Sequence, residues 1–273
     1  MSTATKEAPQ IFQREYYQRL HDIEENHWWA KGMRDAMDAL LEKPLGDAAK
    51  LRVLDIGCGT GYLMNYMQDN YSIDREVVGL DVSEHALEFC RQRGHDKLIL
   101  GSATDVPIPA NSFDMIICID TIQHLAGAGA DMEALEGFAR MLHRGGLLYL
   151  RTNSKLGRLE LKGVDANQYR RYDVETVTKM LEKVGFHVER ASYLNMLPSM
   201  FGALKEKFTA ARKHEHHHHT DAIGPGLKIE PYKPGLGWLN ALMHTELKIE
   251  AELIRAGISL PFGHSCGFVA RKC

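Results

Sequence analysis

The chain has 273 residues, with 33 basic and 36 acidic side chains and a net charge of −3. That length buries a full core, as one large domain or a domain with a sizeable insertion, and the near-even charge balance gives no general attraction for nucleic acid. No apolar run reaches the length of a membrane span and nothing near the N-terminus resembles a signal peptide. The five cysteines (Cys58, Cys90, Cys118, Cys266 and Cys273) are scattered, with no CxxC spacing. This predicts reduced thiols in a cytoplasmic setting, without a disulfide framework or zinc site.

Residues 1–10 are small and polar and are expected to form a disordered tail. Residues 11–45 read as an N-terminal helical lid: Phe12, Tyr16, Tyr17 and His27-Trp28-Trp29 lie in helical sequence that continues through Arg34 to Leu41. These aromatics have two readings. One is an amphipathic helix packed on the sheet; the other is a lid closing over a cofactor and an acceptor, with Tyr17 and Trp28 against the acceptor.

Residues 46–193 read as the core. Leu51, Val53, Leu54 and Ile56 suit a strand covered on both faces. Gly57, Gly59 and Gly61 then turn the backbone and leave no side chains in the way of a ligand. Tyr62 to Gln68 continues as helix, and Cys58 is a small side chain tucked under the loop. A dinucleotide fingerprint requires glycine at position 62, where this chain has Tyr62; the pattern present is D-x-G-x-G-x-G, beginning at Asp55. The next apolar run, Val77 to Leu80, ends in Asp81, where a carboxylate takes both hydroxyls of a ribose.

Ser83 is a candidate cap for a helix over 84–93, ended by Gly94. Lys97 to Leu100 is the expected third strand and Met115 to Ile119 the fourth. Ligands of a doubly wound sheet sit beyond the carboxyl ends of its strands, which turns Ile119 to Leu125 toward the reaction centre. Asp131 is expected to cap a helix to Leu142, and Gly145-Gly146 lead into a fifth strand, Leu147 to Leu150. Residues 153–168 form a polar loop closed by Tyr169-Arg170-Arg171-Tyr172. Arg170 and Tyr172 read either as contacts for an anionic or aromatic acceptor or as a solvated basic turn. Asp173 caps a helix ended by Gly185, and Phe186 to Ala191 is the sixth strand.

The seventh strand, Cys266 to Ala270, comes only after an insertion, so the last core segment is 263–273. The insertion, 194–262, opens at Asn195 and carries helical stretches at about 199–213 and 236–256. It reads as a helical cap on the sheet edge and as the acceptor pocket, its apolar content favouring a hydrophobic small molecule. His214 and His216 to His219 invite a metal reading, but consecutive histidines cannot converge on one ion, and no metal is expected.

Leu54 to Gly61 together with Val77 to Asp81 resembles the class I S-adenosylmethionine (SAM) dependent methyltransferases, and His27-Trp28-Trp29 followed by Arg34 resembles the N-terminal segment of bacterial members. The resemblance covers residues 12–192 well. It implies an α/β, Rossmann-like, doubly wound seven-stranded sheet, the last strand antiparallel. It implies SAM as cofactor, held by Asp55, Gly57, Cys58, Gly59, Gly61, Asp81, Val82 and Ile119, with Arg34 near the cofactor carboxylate. Gly101 to Pro107 resembles the family's adenine-bordering segment, but the usual aspartate is Ser102, which leaves adenine recognition to its hydroxyl and to Ala103 and Thr104. Cys118 to Leu125 resembles the post-strand segment that ends in histidine, so His124 is the candidate general base; a histidine packing the turn is the alternative. The expected reaction is methyl transfer from SAM to a small, largely apolar acceptor, at oxygen ahead of carbon or nitrogen. A non-catalytic SAM-binding subunit and an NAD-dependent oxidoreductase remain as rival classes.

Overall fold

A computed structural model describes residues 13–46, 50–74, 77–155, 170–196 and 237–273. The expected tail, the insertion helix at 199–213, the histidine run, Tyr169 and all but the first residues of the 153–168 loop lie outside the described residues. Two helices, α1 (Arg14–Ile23) and α2 (Trp28–Leu45), precede β1 (Val53–Ile56), α3 (Tyr62–Asn70), β2 (Val78–Asp81), α4 (Glu84–Gln92), β3 (Leu98–Leu100) and β4 (Phe113–Ile119). A 3-10 turn (Ile122–His124) leads to α5 (Ala130–Met141), β5 (Leu142–Asn153), α6 (Val174–Lys183), β6 (Phe186–Leu194), α7 (Gly237–Arg255) and β7 (Ser265–Lys272).

The strands form one sheet in the order β3-β2-β1-β4-β5-β7-β6. β1 to β5 run parallel, and β7 enters antiparallel between β5 and β6. The chain moves outward from β1 to β3 and then crosses back to β4, so the connections leave β1 and β4 in opposite directions. Such a switch point opens a crevice beyond the carboxyl ends of the two strands. Strand periodicity fills both faces. Val53, Met115, Ile117, Leu147 and Tyr149 face α2, α3 and α7 through Met37, Leu40, Met64, Met67, Leu247 and Ile254. Their neighbours Leu54, Ile56, Ile116, Cys118, Leu148 and Leu150 face α5 and α6 through Leu135, Phe138, Met141, Val177 and Leu181.

Several local expectations change. The N-terminal helix breaks at residues 24–27, and His27 starts α2 by accepting the Trp29 N–H at Nδ1, 3.3 Å away. Ser83 holds the N-cap position of α4 without a side-chain cap bond. Asp131 lies inside the first turn of α5, behind Gly129, and engages Tyr172 and Arg170 instead. Asp173 does cap α6, accepting the Thr176 N–H at 2.7 Å. The five cysteines form no disulfide, and no described helix is long and apolar enough to cross a membrane.

The second half of the insertion, α7, lies along α2. Leu247, Ala251 and Ile254 are buried there, His244 pairs with Asp35 at 2.8 Å, and Asn240 accepts the Trp28 N–H at 2.9 Å. The close approach requires Gly32: a Cβ there would stand 2.4 Å from the Leu247 Cβ. Alanine gains about 1 kcal/mol of helix propensity over glycine, whereas overpacking of this kind costs about 1–3 kcal/mol. Gly32→Ala is therefore expected to lower the urea midpoint despite the better helix former.

Candidate active site

The glycine turn is built by three left-handed residues, Gly57, Gly59 and Gly61, at φ 75°, 55° and 78°. At Gly57 the missing side chain admits Thr121, whose Oγ1 would sit 2.0 Å from a Cβ. Thr121 bonds back to the Ile56 carbonyl at 3.2 Å, tying the exit of β4 to the turn after β1. The Gly57 and Cys58 N–H groups both donate to the Leu80 carbonyl, at 2.7 and 3.0 Å. Cys58 is buried beneath the loop with its Sγ 3.8 Å from that of Cys90, and this contact and burial push its thiol well above the ordinary range. That environment suits a packing role rather than a nucleophile.

Asp55 ends inside this corner. It is fully buried, and its Oδ2 has no hydrogen-bond partner among the described residues. Burial, reinforced by the nearby Asp81, raises its pKa to about 7. A buried carboxylate of this kind fits a ligand that brings positive charge and N–H donors, as the sulfonium and α-ammonium of SAM do. Asp81, at the end of β2, accepts the Gly59 N–H at 3.0 Å and the Ser83 N–H at 2.9 Å. The Val82 N–H and the Tyr17 hydroxyl also bond to it, and these bonds partly offset the upward push of burial on its pKa. Val82 exposes an apolar side chain beside this carboxylate. In the next turn the Ser102 Oγ bonds the Thr104 Oγ1 at 2.8 Å and accepts the Thr104 N–H at 3.2 Å, with Ala103 buried. The departure at Ser102 is thus a self-contained hydroxyl turn. A shallow cleft of about 330 Å³ runs outside it, between Thr104, Asp105, Glu136 and Arg140.

One strand over, the carboxyl end of β4 carries half-buried Ile119 and then Asp120, a non-glycine residue at φ 51°. Asp120 pairs with Arg151 of β5 at 2.5 Å, and the guanidinium lies 5.1 Å from the centre of the Trp29 ring. Burial works against the arginine cation, but Asp120 outweighs it and the pKa is raised. His124 sits in the 3-10 turn next to this pair. Burial drops its pKa to about 4, with Asp120 pulling weakly the other way, so the imidazole is neutral at physiological pH. Neither Asp120 nor Arg151 was singled out from the sequence. The available signal was a lone arginine directly after the all-apolar run of β5.

α1 covers the corner. Leu20 lies 3.7 Å from the Cβ position of Gly59. The Tyr17 hydroxyl meets Ser83 and Asp81 rather than an acceptor site, and its pKa is pushed far up, chiefly by burial and then by Asp81. Tyr16 is raised to about 12 by burial, then by Asp120 and Asp81. Arg34 donates to the Glu24 and Glu25 carbonyls at 2.8 and 3.3 Å and lies over the Tyr62 ring, closing the end of α1. Trp28 packs against the core with its N–H on Asn240 of α7. Arg170 reaches Asp131 at 3.6 Å and Gly127, and Tyr172 donates to Asp131 at 2.9 Å, so both tie the chain before α6 to the start of α5. Asn195 is buried at φ 62° where β6 ends, and the next N–H, of Met196, meets Glu250 of α7 at 3.1 Å. The candidate cofactor residues of the glycine turn meet Asp55, Asp81 and Val82 at one corner, whereas Arg34 lies at the end of α1 and Trp28, Arg170, Tyr172 and Asn195 are spread over other joints of the fold.

Known proteins match this arrangement. Residues 54–150 match the methyltransferase domain family. The chain is 37% identical over 100 residues to a tRNA (carboxymethyluridine(34)-5-O)-methyltransferase of Mus musculus, covering 36% of this chain and 14% of the mouse protein. It is 32% identical over 146 residues to a phosphoethanolamine N-methyltransferase of Triticum aestivum, covering 50% of this chain and 28% of the wheat protein. The chain thus spans less than a third of the length of either relative. A phosphoethanolamine N-methyltransferase of Haemonchus contortus, solved with SAM, shares the fold at a TM-score of 0.59 and 17% identity, over 96% of this chain and 58% of that one. Residues 54–150 thus form a methyltransferase domain, on the sheet of the class I SAM-dependent methyltransferase fold.

Proposed function

We propose that this chain transfers the methyl group of SAM to a small, largely apolar acceptor, at oxygen. The observation that carries the reading is a neutral, buried His124 beside Asp120 at the end of β4, next to the Asp55–Asp81 corner at the ends of β1 and β2. The named activities of these relatives divide between oxygen and nitrogen, so the choice of oxygen rests on this imidazole.

Bound SAM supplies a methyl group already activated by its sulfonium. The protein's part is alignment and exclusion of water, for which well-held reactants account for about 7–11 kcal/mol of barrier. Asp81 holds the ribose hydroxyls, Asp55 faces the positive charge of the aminoacyl part, and Val82 with Ala103 and Thr104 borders the adenine. Tyr16, Tyr17 and Leu20 shut out solvent from above. His124 accepts the hydroxyl proton of the acceptor, and Asp120, fixed by Arg151 and Trp29, stabilises the imidazolium that results. The insertion and the Trp28 region shape the acceptor end, with Arg170, Tyr172 and Asn195 as its outer supports.

Calorimetric titration with SAM tests the cofactor half. Asp55 has its pKa raised in the free protein, so ionisation there is disfavoured below about 7 and a cationic ligand draws it back. Affinity is expected to increase as pH rises from 6 to 8, with net proton release on binding, and Asp55→Asn is expected to abolish that dependence. Asp81→Ala is expected to weaken binding by at least tenfold, since hydrogen bonds to a charged group contribute about 1.5–3 kcal/mol each. A protein that binds NAD(H) and not SAM would overturn the assignment.

The base is tested by rate profiles on hydroxyl acceptors. A base works in its deprotonated form, so kcat at saturating SAM is expected to stay level from pH 8 to 5 and fall only toward pH 4. His124→Ala is expected to lower kcat by about 10²–10⁴. Full activity of that variant on a hydroxyl acceptor would remove the assignment, and undiminished activity on an amine would move the acceptor atom to nitrogen.

A further inference from the structure

We propose that Glu24 is a positioning residue that holds α1 closed over the cofactor corner, so that the Glu24–Thr60–Arg93 cluster sets how fast cofactor and product exchange; this rests on the cofactor reading above. The Asp81 carboxylate accepts the N–H groups of Gly59 and Ser83, and the buried Tyr17 of α1 lies against it. A ribose that takes up that carboxylate competes for its oxygens with Tyr17, the neighbour contributed by α1. α1 must therefore shift, and whatever anchors its base governs the shift.

The anchor lies where α1 ends. Glu24, 8% exposed, accepts the Thr60 hydroxyl from within the glycine turn and pairs with Arg93, at the end of α4, at 2.7 Å. Both partners are about nine-tenths buried, at 11% and 10% side-chain exposure. Arg93 also reaches Glu25 at 3.0 Å and lies 5.3 Å over the Tyr62 ring, while its Nε is buried with no acceptor among the described residues. Arg34 grips the Glu24 and Glu25 carbonyls from the other side. A buried ion pair is a poor device for bulk stability, because apolar replacements do as well, but it is sensitive to the loss of one member. It suits a joint with two settings. Elsewhere α1 is held by the surface pair Arg14–Glu88 and by Tyr17 and Leu20.

The test is Glu24→Gln in the full chain. Hydrogen–deuterium exchange without added ligand is expected to quicken at least tenfold in residues 14–23 while residues 130–141 of α5 stay unchanged. Stopped-flow release of S-adenosylhomocysteine is expected to be at least tenfold faster, with KM for SAM raised in proportion and kcat within twofold. The double variant Glu24→Leu/Arg93→Met, which leaves no unpaired buried charge and frees only the exposed Glu25, is expected to show the same local exchange and covers the case of a single variant that does not fold. Unchanged exchange in 14–23, or acceleration spread evenly over the chain, would overturn the proposal. If the unsubstituted protein binds neither SAM nor S-adenosylhomocysteine, the cofactor reading fails and the exchange of residues 14–23 decides the role of Glu24 by itself.

Discussion

A carboxylate at the end of the central strand, buried and short of a partner, is the constraint on which the site depends. Asp55 follows Val53 and Leu54 into the interior because β1 is covered on both faces. The alternation that buries Leu54 and Ile56 on one side places Asp55 at the crevice between β1 and β4. Burial and Asp81 oppose its charge, an opposition that a positively charged ligand would offset. The three left-handed glycines follow from the same demand, since the backbone must pass close to a ligand without side chains between them.

Two neighbouring carboxylates take different roles because their surroundings differ. Asp81 is surrounded by N–H groups and a tyrosine hydroxyl, which makes it a hydrogen-bonding platform. Asp120 is matched by a buried arginine stacked on Trp29, which makes it a fixed electrostatic neighbour for His124. The imidazole stays neutral because burial outweighs that neighbour. The two carboxylates thus stand at the ends of β2 and β4, on either side of β1, with separate electrostatic settings, and the Thr121 bond to the Ile56 carbonyl ties the exit of β4 to β1.

The N-terminal aromatics part at the break between α1 and α2. Tyr16 and Tyr17 of α1 lie near Asp81, while Trp28 and Trp29, after the break at residues 24–27, pack against the core on the α2 side of the sheet. Periodicity cannot make that division, because one helical pattern runs through the whole stretch. The break comes from contacts distant in sequence: Arg93 and Thr60 pull on Glu24, and Asn240 takes the Trp28 N–H.

The sequence by itself determined the parallel core, the glycine corner, the two acidic strand ends and the late seventh strand. These are written in local patterns: apolar runs, glycines where the backbone must turn left-handed, and carboxylates at fixed distances from them. Tertiary structure alone decided which charges meet. Arg151 finds Asp120 across the β4–β5 ladder, Arg170 and Tyr172 turn to Asp131, and Arg34 closes α1 instead of standing free at the corner. Long polar side chains carry no period of their own. Their partners are set by strand order and helix crossing, and a single chain read in order contains neither.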